Sequence, residues 1–123
     1  MIGLVINMDF MKDIEKTLLF PFMDCFDSRP KEKLLIEWKD GTRIVTRIDT
    51  AGETQNEYDE DENGFEEYFM CVMETIEIVA IGEAPVWNFE VGGLFEINYH
   101  NFPDLVRDGA GNILLEKSKL LAE

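Results

Sequence analysis

The chain has 123 residues, 46% of them hydrophobic, which is enough apolar surface for one compact domain over residues 1–123. Its 26 Asp and Glu outnumber its 11 Lys and Arg, giving a formal net charge of −15. This sign of charge disfavours nucleic acid as a ligand, because binding a duplex uses Lys and Arg to neutralise phosphates. Asn7 and Asp9 interrupt the first apolar run too early for a signal peptide or membrane span, so we expect a cytoplasmic protein.

The excess negative charge is confined to one part of the chain. Between Ile48 and Val106 there are fifteen Asp and Glu and no Lys or Arg, while the remaining segments hold 11 acids and 11 bases. Two interpretations are open. The carboxylates either only keep the protein soluble, or they form a docking surface for a basic partner protein, with interleaved aromatic side chains as anchors.

The two cysteines, Cys25 and Cys71, each lie among apolar neighbours. They form no CxxC pair and have no zinc-ligand spacing, so the sequence predicts buried free thiols.

An N-terminal helix is predicted from a possible cap and an apolar period. Asp9 can accept hydrogen bonds from the first turn, and apolar residues then recur near helical spacing at Phe10, Ile14, Leu18 and Leu19. Pro21 should end or kink this helix, with a further turn or two over residues 22–26.

Two alternating runs around Asp40-Gly41 predict a β-hairpin. A two-residue turn would scatter the apolar side chains over both faces. A three-residue loop, residues 39–41 with Gly41 in the left-handed region, instead pairs Ile36 with Ile44. That register collects the apolar residues Leu34, Ile36, Trp38, Ile44 and Ile48 on one face, and it is the one we predict.

Residues 65–81 fit either a helix or a strand, and their β-branched density favours a long, bent strand. VWNFEV (residues 86–91) and LFEINYH (residues 94–100) predict further strands, with Phe95, Ile97 and Tyr99 inward and Glu96, Asn98 and His100 outward. A last short strand is expected near residues 113–115, before a frayed tail. The predicted fold is α+β, an N-terminal helix packed on a strongly curved, barrel-like antiparallel meander of about five or six strands.

The acidic segment YDEDENGFEEYF begins like a calcium-binding loop, with suitable ligands at Asp59, Asp61 and Asn63 and a turning glycine at Gly64. The position that needs a bidentate Glu is Met70, and the segment before the loop is a poor helix. We therefore expect no specific metal site and no cofactor, only a mobile acidic loop that collects cations weakly.

Catalytic signatures are weak. His100 is the single histidine, and no nucleophile motif accompanies it, so an exposed histidine at a strand end is the simpler interpretation. Two alternatives remain: a small metal-dependent enzyme that uses clustered carboxylates, and an Sm-like or SH3-like barrel acting as a binding module.

The succession IEWKDGTRIVTRIDTAGET, GFEEYF and FEINYHNFPDLVRDGAGNIL, within residues 33–115, resembles small bacterial immunity proteins of polymorphic toxin systems. The resemblance implies an inhibitor that binds a cognate toxin, often a basic nuclease, and has no chemistry of its own. We therefore predict a non-enzymatic acidic protein that docks on a basic partner protein. The predicted partner-binding residues are Glu53, Glu57, Asp59, Glu60, Asp61, Glu62, Glu66, Glu67, Tyr68 and Trp87.

Overall fold

The structure, a computed structural model, describes residues 11–29 and 32–122. Within these residues a helix precedes six strands, and a short helix follows them. The elements are α1 (Asp13–Asp27), β1 (Leu34–Glu37), β2 (Arg43–Gln55), β3 (Glu67–Ala80), β4 (Leu94–Ile97), β5 (Leu105–Arg107), β6 (Ile113–Glu116) and α2 (Lys117–Leu120). The strands form one antiparallel sheet in the order β4-β3-β2-β1-β5-β6. The predicted class, an N-terminal helix on a curved antiparallel meander, is confirmed.

Helix α1 runs through Pro21, so of the two effects expected of this proline, an end or a kink, the helix end is wrong. A proline inside a helix removes one hydrogen bond and costs about 3 kcal/mol. Burying Phe22 and Phe26 contributes about 1.5–3 kcal/mol each, which offsets that cost. The helix begins after Lys12, whose side chain does not cap it. Asp9, the predicted cap, lies outside the described residues.

The β1–β2 hairpin has the predicted register. Ile36 pairs with Ile44, and Gly41 closes the three-residue loop with φ at 99°. In this register Leu34, Ile36, Trp38 and Ile44 are buried, and Ile48 packs partly buried against them. Alternation along the strands then directs the polar residues at Glu37, Arg43 and Arg47 to the opposite face.

Residues 67–80 form the long strand β3, which confirms the strand interpretation of this ambiguous segment. Phe69, Cys71 and Met73 face the core. The pairing of β3 with β2 shifts register at several points, including between Ile48 and Thr50. Such irregularities bend and twist a strand pair locally, and they help the sheet curve around α1.

The predicted strand at residues 86–91 is wrong, because this segment is a loop. The chain leaving β3 bonds to the β1–β2 turn instead of to a strand. The N–H of Gly82 donates to Thr42 Oγ1 at 2.9 Å, and the N–H of Ala84 donates to Asp40 Oδ2 at 3.1 Å. Phe89 from this loop is buried with its ring centroid 5.6 Å from that of Trp38.

Strand β4 ends at Ile97, earlier than predicted. Phe95 and Ile97 face inward as expected. Asn98, predicted to face outward, is instead buried, because its Oδ1 accepts hydrogen bonds from the N–H groups of His100 and Asn101 and so forms a turn. Tyr99, predicted to face inward, is only half-buried in that turn.

The connection from β4 to β5 is more easily made on a curved sheet than on a flat one. The two strands are four interstrand intervals apart, about 19 Å on a flat sheet. Residues 98–104 reach at most about 25 Å when extended, and part of that length is used by the turn. In the strand order that the structure describes, β4 and β6 end the sheet without pairing with each other, so the Sm-like or SH3-like closed barrel does not form.

The C-terminal region contains one expected strand and two elements that were not predicted. β6 (Ile113–Glu116) confirms the last strand, whereas β5 and the short helix α2 were missed. β5 pairs with β1 on the side away from β2, which places β1 inside the sheet.

Candidate functional site

The far end of the β2–β3 hairpin, residues 53–67, is the acidic hairpin. Its carboxylates at Glu53, Glu57, Asp59, Glu60, Asp61, Glu62 and Glu67 are exposed. Across the part of the chain that the structure describes, none of these seven forms an ion pair. The structure therefore brings nine of the ten predicted partner-binding residues, Glu53 to Tyr68, to one end of the molecule.

The acidic hairpin has a hydrogen-bonded backbone. Asn56 bridges its two sides, since Nδ2 donates to the Gly64 carbonyl at 2.7 Å and Oδ1 accepts from the N–H of Glu66 at 3.2 Å. Glu62 Oε1 accepts from the N–H of Asp59 at 2.9 Å. These bonds, with Gly64 at a φ of 94°, give the loop a defined path. The acidic loop that the sequence predicts to be mobile therefore contains an organised turn, and its mobility stays a prediction.

The calcium-like residues of this loop do not converge. One carboxylate, Glu62, is used to hold the turn through its bond to Asp59. Within residues 11–29 and 32–122, no three His, Cys, Asp or Glu side chains are grouped so that they could hold a metal ion.

Glu66 differs from its acidic neighbours because its carboxylate is fully engaged. Oε2 accepts hydrogen bonds from Lys12 Nζ and the Tyr99 hydroxyl, and Oε1 lies 2.7 Å from His100 Nε2. The Lys12 ammonium also lies 5.0 Å from the centroid of the Tyr99 ring. This Glu66 cluster fixes the base of the acidic hairpin to the start of α1 and to the β4–β5 turn.

The contacts of Glu66 change its acidity. Desolvation alone would raise its pKa, but the hydrogen bonds from Lys12, Tyr99 and His100 outweigh that effect and lower the pKa to about 2. Burial acts to lower the pKa of Lys12, and its bonds to Glu66 and Tyr99 raise it overall. Glu66 therefore stays ionised at neutral pH, with its charge offset by an internal cation. Its carboxylate is therefore less free to make new contacts than those of the exposed acids.

Trp87 lies apart from the acidic hairpin, on the loop between β3 and β4. Its side chain is 39% exposed and lines a shallow groove with Met70, Val72, Leu94, Phe95 and Glu96. Tyr68 is half-buried, and its ring is edge-on to that of His100, with centroids 6.0 Å apart. Tyr68 is thus a neighbour of both the Glu66 cluster and Glu96.

Sequence reasoning did not identify the partners of Glu66 or the walls of the Trp87 groove. Lys12, Tyr99 and His100 come from segments 33–54 positions away from Glu66. The sequence does contain a pattern from which two residues of the groove wall could have been predicted. Once β3 is taken as a strand with Phe69 and Cys71 inward, alternation places Met70 and Val72 on the opposite face.

These features define an acidic α+β protein with one charged, exposed hairpin. Comparison with protein families matches residues 20–119 to the family described as "Cognate immunity protein YxxD". The match covers most of the chain, so the chain belongs to this family, and the resemblance to immunity proteins is confirmed.

Two further comparisons gave no relatives: no curated protein and no solved structure matches the chain. Among the helices of residues 11–29 and 32–122, none has the length and apolar character that crossing a membrane requires.

Proposed function

We propose that this protein is a non-enzymatic immunity protein that inhibits a cognate toxin by binding it, and that the acidic hairpin docks on a basic surface of that toxin. The observation that supports this most is the set of seven exposed carboxylates, unpaired throughout the described chain, in a member of an immunity family. A nuclease toxin fits the charge, because a phosphate-binding surface is itself rich in Lys and Arg.

Electrostatics gives the acidic hairpin a physical reason to be a docking surface. Crowded like charges repel each other and reduce stability, but they attract a cationic partner over long range. Such steering raises association rates to about 10⁸–10⁹ M⁻¹s⁻¹ at low salt. The bonds of Asn56 and Glu62 hold the backbone, so less loop entropy is lost when the partner binds.

The side chains with the chemistry most suited to catalysis, two cysteines and one histidine, are buried or already in contact with another group. Both thiols are buried, and His100 Nε2 lies 2.7 Å from Glu66. These contacts support a binding role without chemistry. The excess of 26 Asp and Glu over 11 Lys and Arg supports a ligand other than nucleic acid or an anionic membrane surface. Two free cysteines also fit the reducing cytoplasm as the compartment.

The test is calorimetric titration against the protein encoded by the neighbouring gene. The variant Glu57→Gln/Glu60→Gln/Asp61→Asn removes three charges from the acidic hairpin. Its matched control, Asp24→Asn/Glu32→Gln/Glu77→Gln, removes three exposed charges elsewhere. We expect the first to weaken binding about 10–100-fold, a loss of about 0.5–1 kcal/mol per charge, and the second to have little effect.

The salt dependence of the affinity is a second test of the same proposal. The wild-type affinity should fall between about 50 and 300 mM salt, because exposed charges are screened over this range. Equal effects of the two triple variants, or an affinity unchanged by salt, would contradict docking through the acidic hairpin.

A further inference from the structure

The outer face of β3 and β4 carries an apolar groove, the Trp87 groove. Phe69, Cys71 and Met73 face the core, so the residues between them face the opposite side of the sheet. Met70, Val72, Leu94 and Trp87 line a cavity of about 200 Å³ together with Phe95 and Glu96. Leu94 is 55% exposed, so the groove is open to solvent.

A positioned carboxylate lies in this groove. Asn98 Nδ2 donates to Glu96 Oε2 at 2.6 Å. Burial, and after it the charge of Glu96 and a hydrogen bond to it, raises the pKa of the Tyr68 hydroxyl. Both groups that orient Glu96 are therefore neutral. No Lys or Arg of the described chain pairs with it, so its negative charge is not offset.

A second carboxylate on the same face of the sheet, that of Glu74, can be compared with Glu96. Glu74 lies opposite Leu94 in the β3–β4 ladder, and Glu96 lies opposite Val72. Glu74 forms an ion pair of 2.9 Å with Arg47 Nε, from the neighbouring strand β2. Glu96 also faces outward, two pairs along the β3–β4 ladder, and the exposed indole of Trp87 lines its groove where Glu74 has an arginine.

We propose that the Trp87 groove receives one arginine side chain of the bound partner. The guanidinium stacks on the Trp87 indole and pairs with Glu96, and its methylene stem packs on Met70, Val72 and Leu94. This inference rests on the proposed function, because it supposes a cationic protein partner. It adds a specific anchor on the outer face of the sheet, beside Tyr68, the residue that follows the acidic hairpin.

The chemistry of the groove selects among possible occupants. A purely apolar side chain would bury Glu96 without a counter-charge, and burying an unpaired charge is costly. A lysine brings charge, but its ammonium is compact and strongly hydrated. Arginine has a planar guanidinium that stacks on indole rings and binds carboxylates with two hydrogen bonds, and its stem suits an apolar wall.

The test uses the two tryptophans of the chain. In ¹⁵N-labelled protein each gives one indole N–H signal. Trp38 is buried and donates to the Asn101 carbonyl at 2.8 Å, so it serves as an internal reference. The probe is N-acetyl-arginine amide, compared with N-acetyl-lysine amide and with N-acetyl-citrulline amide, which has the same shape as the arginine probe and no charge.

We expect the arginine amide to shift the Trp87 signal saturably, at a Kd on the order of millimolar, and to leave the Trp38 signal in place. Glu96→Gln should weaken this binding at least about fivefold, whereas the control Glu77→Gln, at an exposed position of β3, should not. Absence of a shift, equal shifts with the citrulline or lysine amide, or full binding to Glu96→Gln would overturn the proposal.

Titration with the neighbouring-gene protein separates the two proposals. If that protein does not bind while the arginine amide does, the proposed function fails and the groove assignment stands. If it binds wild type and Glu96→Gln equally well, the groove assignment fails and the proposed function stands. A loss of at least about fivefold in Glu96→Gln supports both.

Discussion

Glu15, fully buried on α1, accepts a hydrogen bond of 2.8 Å from the backbone N–H of Phe69 on β3. This bond attaches the helix to the strand just after the acidic hairpin rejoins the sheet. The other carboxylate oxygen of Glu15, Oε1, is 3.7 Å from Lys12 Nζ, and Lys12 in turn donates a hydrogen bond to Glu66. A single ammonium group therefore lies between a buried carboxylate of the helix and the carboxylate at the base of the hairpin.

Replacing Glu15 with Ala should lower the free energy of unfolding by about 1–3 kcal/mol. The change removes the acceptor of the Phe69 N–H and leaves that buried donor unpaired. Glu15→Gln keeps an oxygen acceptor of the same shape and should cost less. Urea unfolding followed by circular dichroism measures both, and an Ala variant as stable as wild type would show that this bond contributes nothing.

The stability conferred by Glu66 should depend on pH. Its pKa falls from 4.5 to about 2 on folding, so its contribution is present above about pH 4.5 and is lost as the pH drops toward 2. The stability difference between wild type and Glu66→Gln should therefore shrink over this interval. Urea unfolding from pH 2 to 7 tests this, with Glu57→Gln as a control for the loss of one carboxylate. A constant difference across the interval would contradict the assignment.

Gly82→Ala should destabilise the protein by about 1–3 kcal/mol or more. A Cβ at this position would be 2.2 Å from the carbonyl oxygen of Asp40, so the loop would have to move and lose its bond to Thr42. Gly109→Ala is the matched control, because a Cβ there meets nothing within 4 Å. Its stability should stay within about 0.5 kcal/mol of wild type or rise slightly. Equal thermal midpoints for the two variants would disprove the close contact.

Both thiols should be unreactive in the folded protein. Burial raises the pKa of Cys71 to about 12 and also raises that of Cys25, and the thiolate is the reactive form. The prediction of buried free cysteines is thus confirmed. A colorimetric thiol assay should detect little reaction in native buffer and two thiols after denaturation with urea. Rapid reaction of the native protein would indicate that a cysteine becomes accessible.

Local sequence patterns predicted the structure correctly in those segments whose conformation depends mainly on residues close together in the chain. The Asp40-Gly41 turn and the alternation around it predicted the β1–β2 register, because a shift by one residue would turn Ile36 and Ile44 away from the core. Similarly, β-branched residues in 67–80 predicted β3 correctly despite a competing helical period.

Contacts from distant segments explain the predictions that were wrong or incomplete. Residues 86–91 alternate like a strand, but the bonds of the preceding residues to Asp40 and Thr42 direct this segment into a loop. The Glu66 cluster joins residues 33–54 positions apart, beyond the reach of any local pattern. The concentration of exposed acids at one end of the molecule was predictable, because consecutive residues of one hairpin supply them.

The position of β1 between β2 and β5 has a consequence for synthesis on the ribosome. Ile36 pairs with Ile44 on one side and with Val106, 70 positions later, on the other. Val106 is synthesised 62 residues after Ile44, so at about 5–20 residues per second the second edge of β1 stays open for about 3–12 s after the first can pair. An open apolar edge invites pairing with other chains, and a charged side chain such as that of Glu37 at its end opposes this.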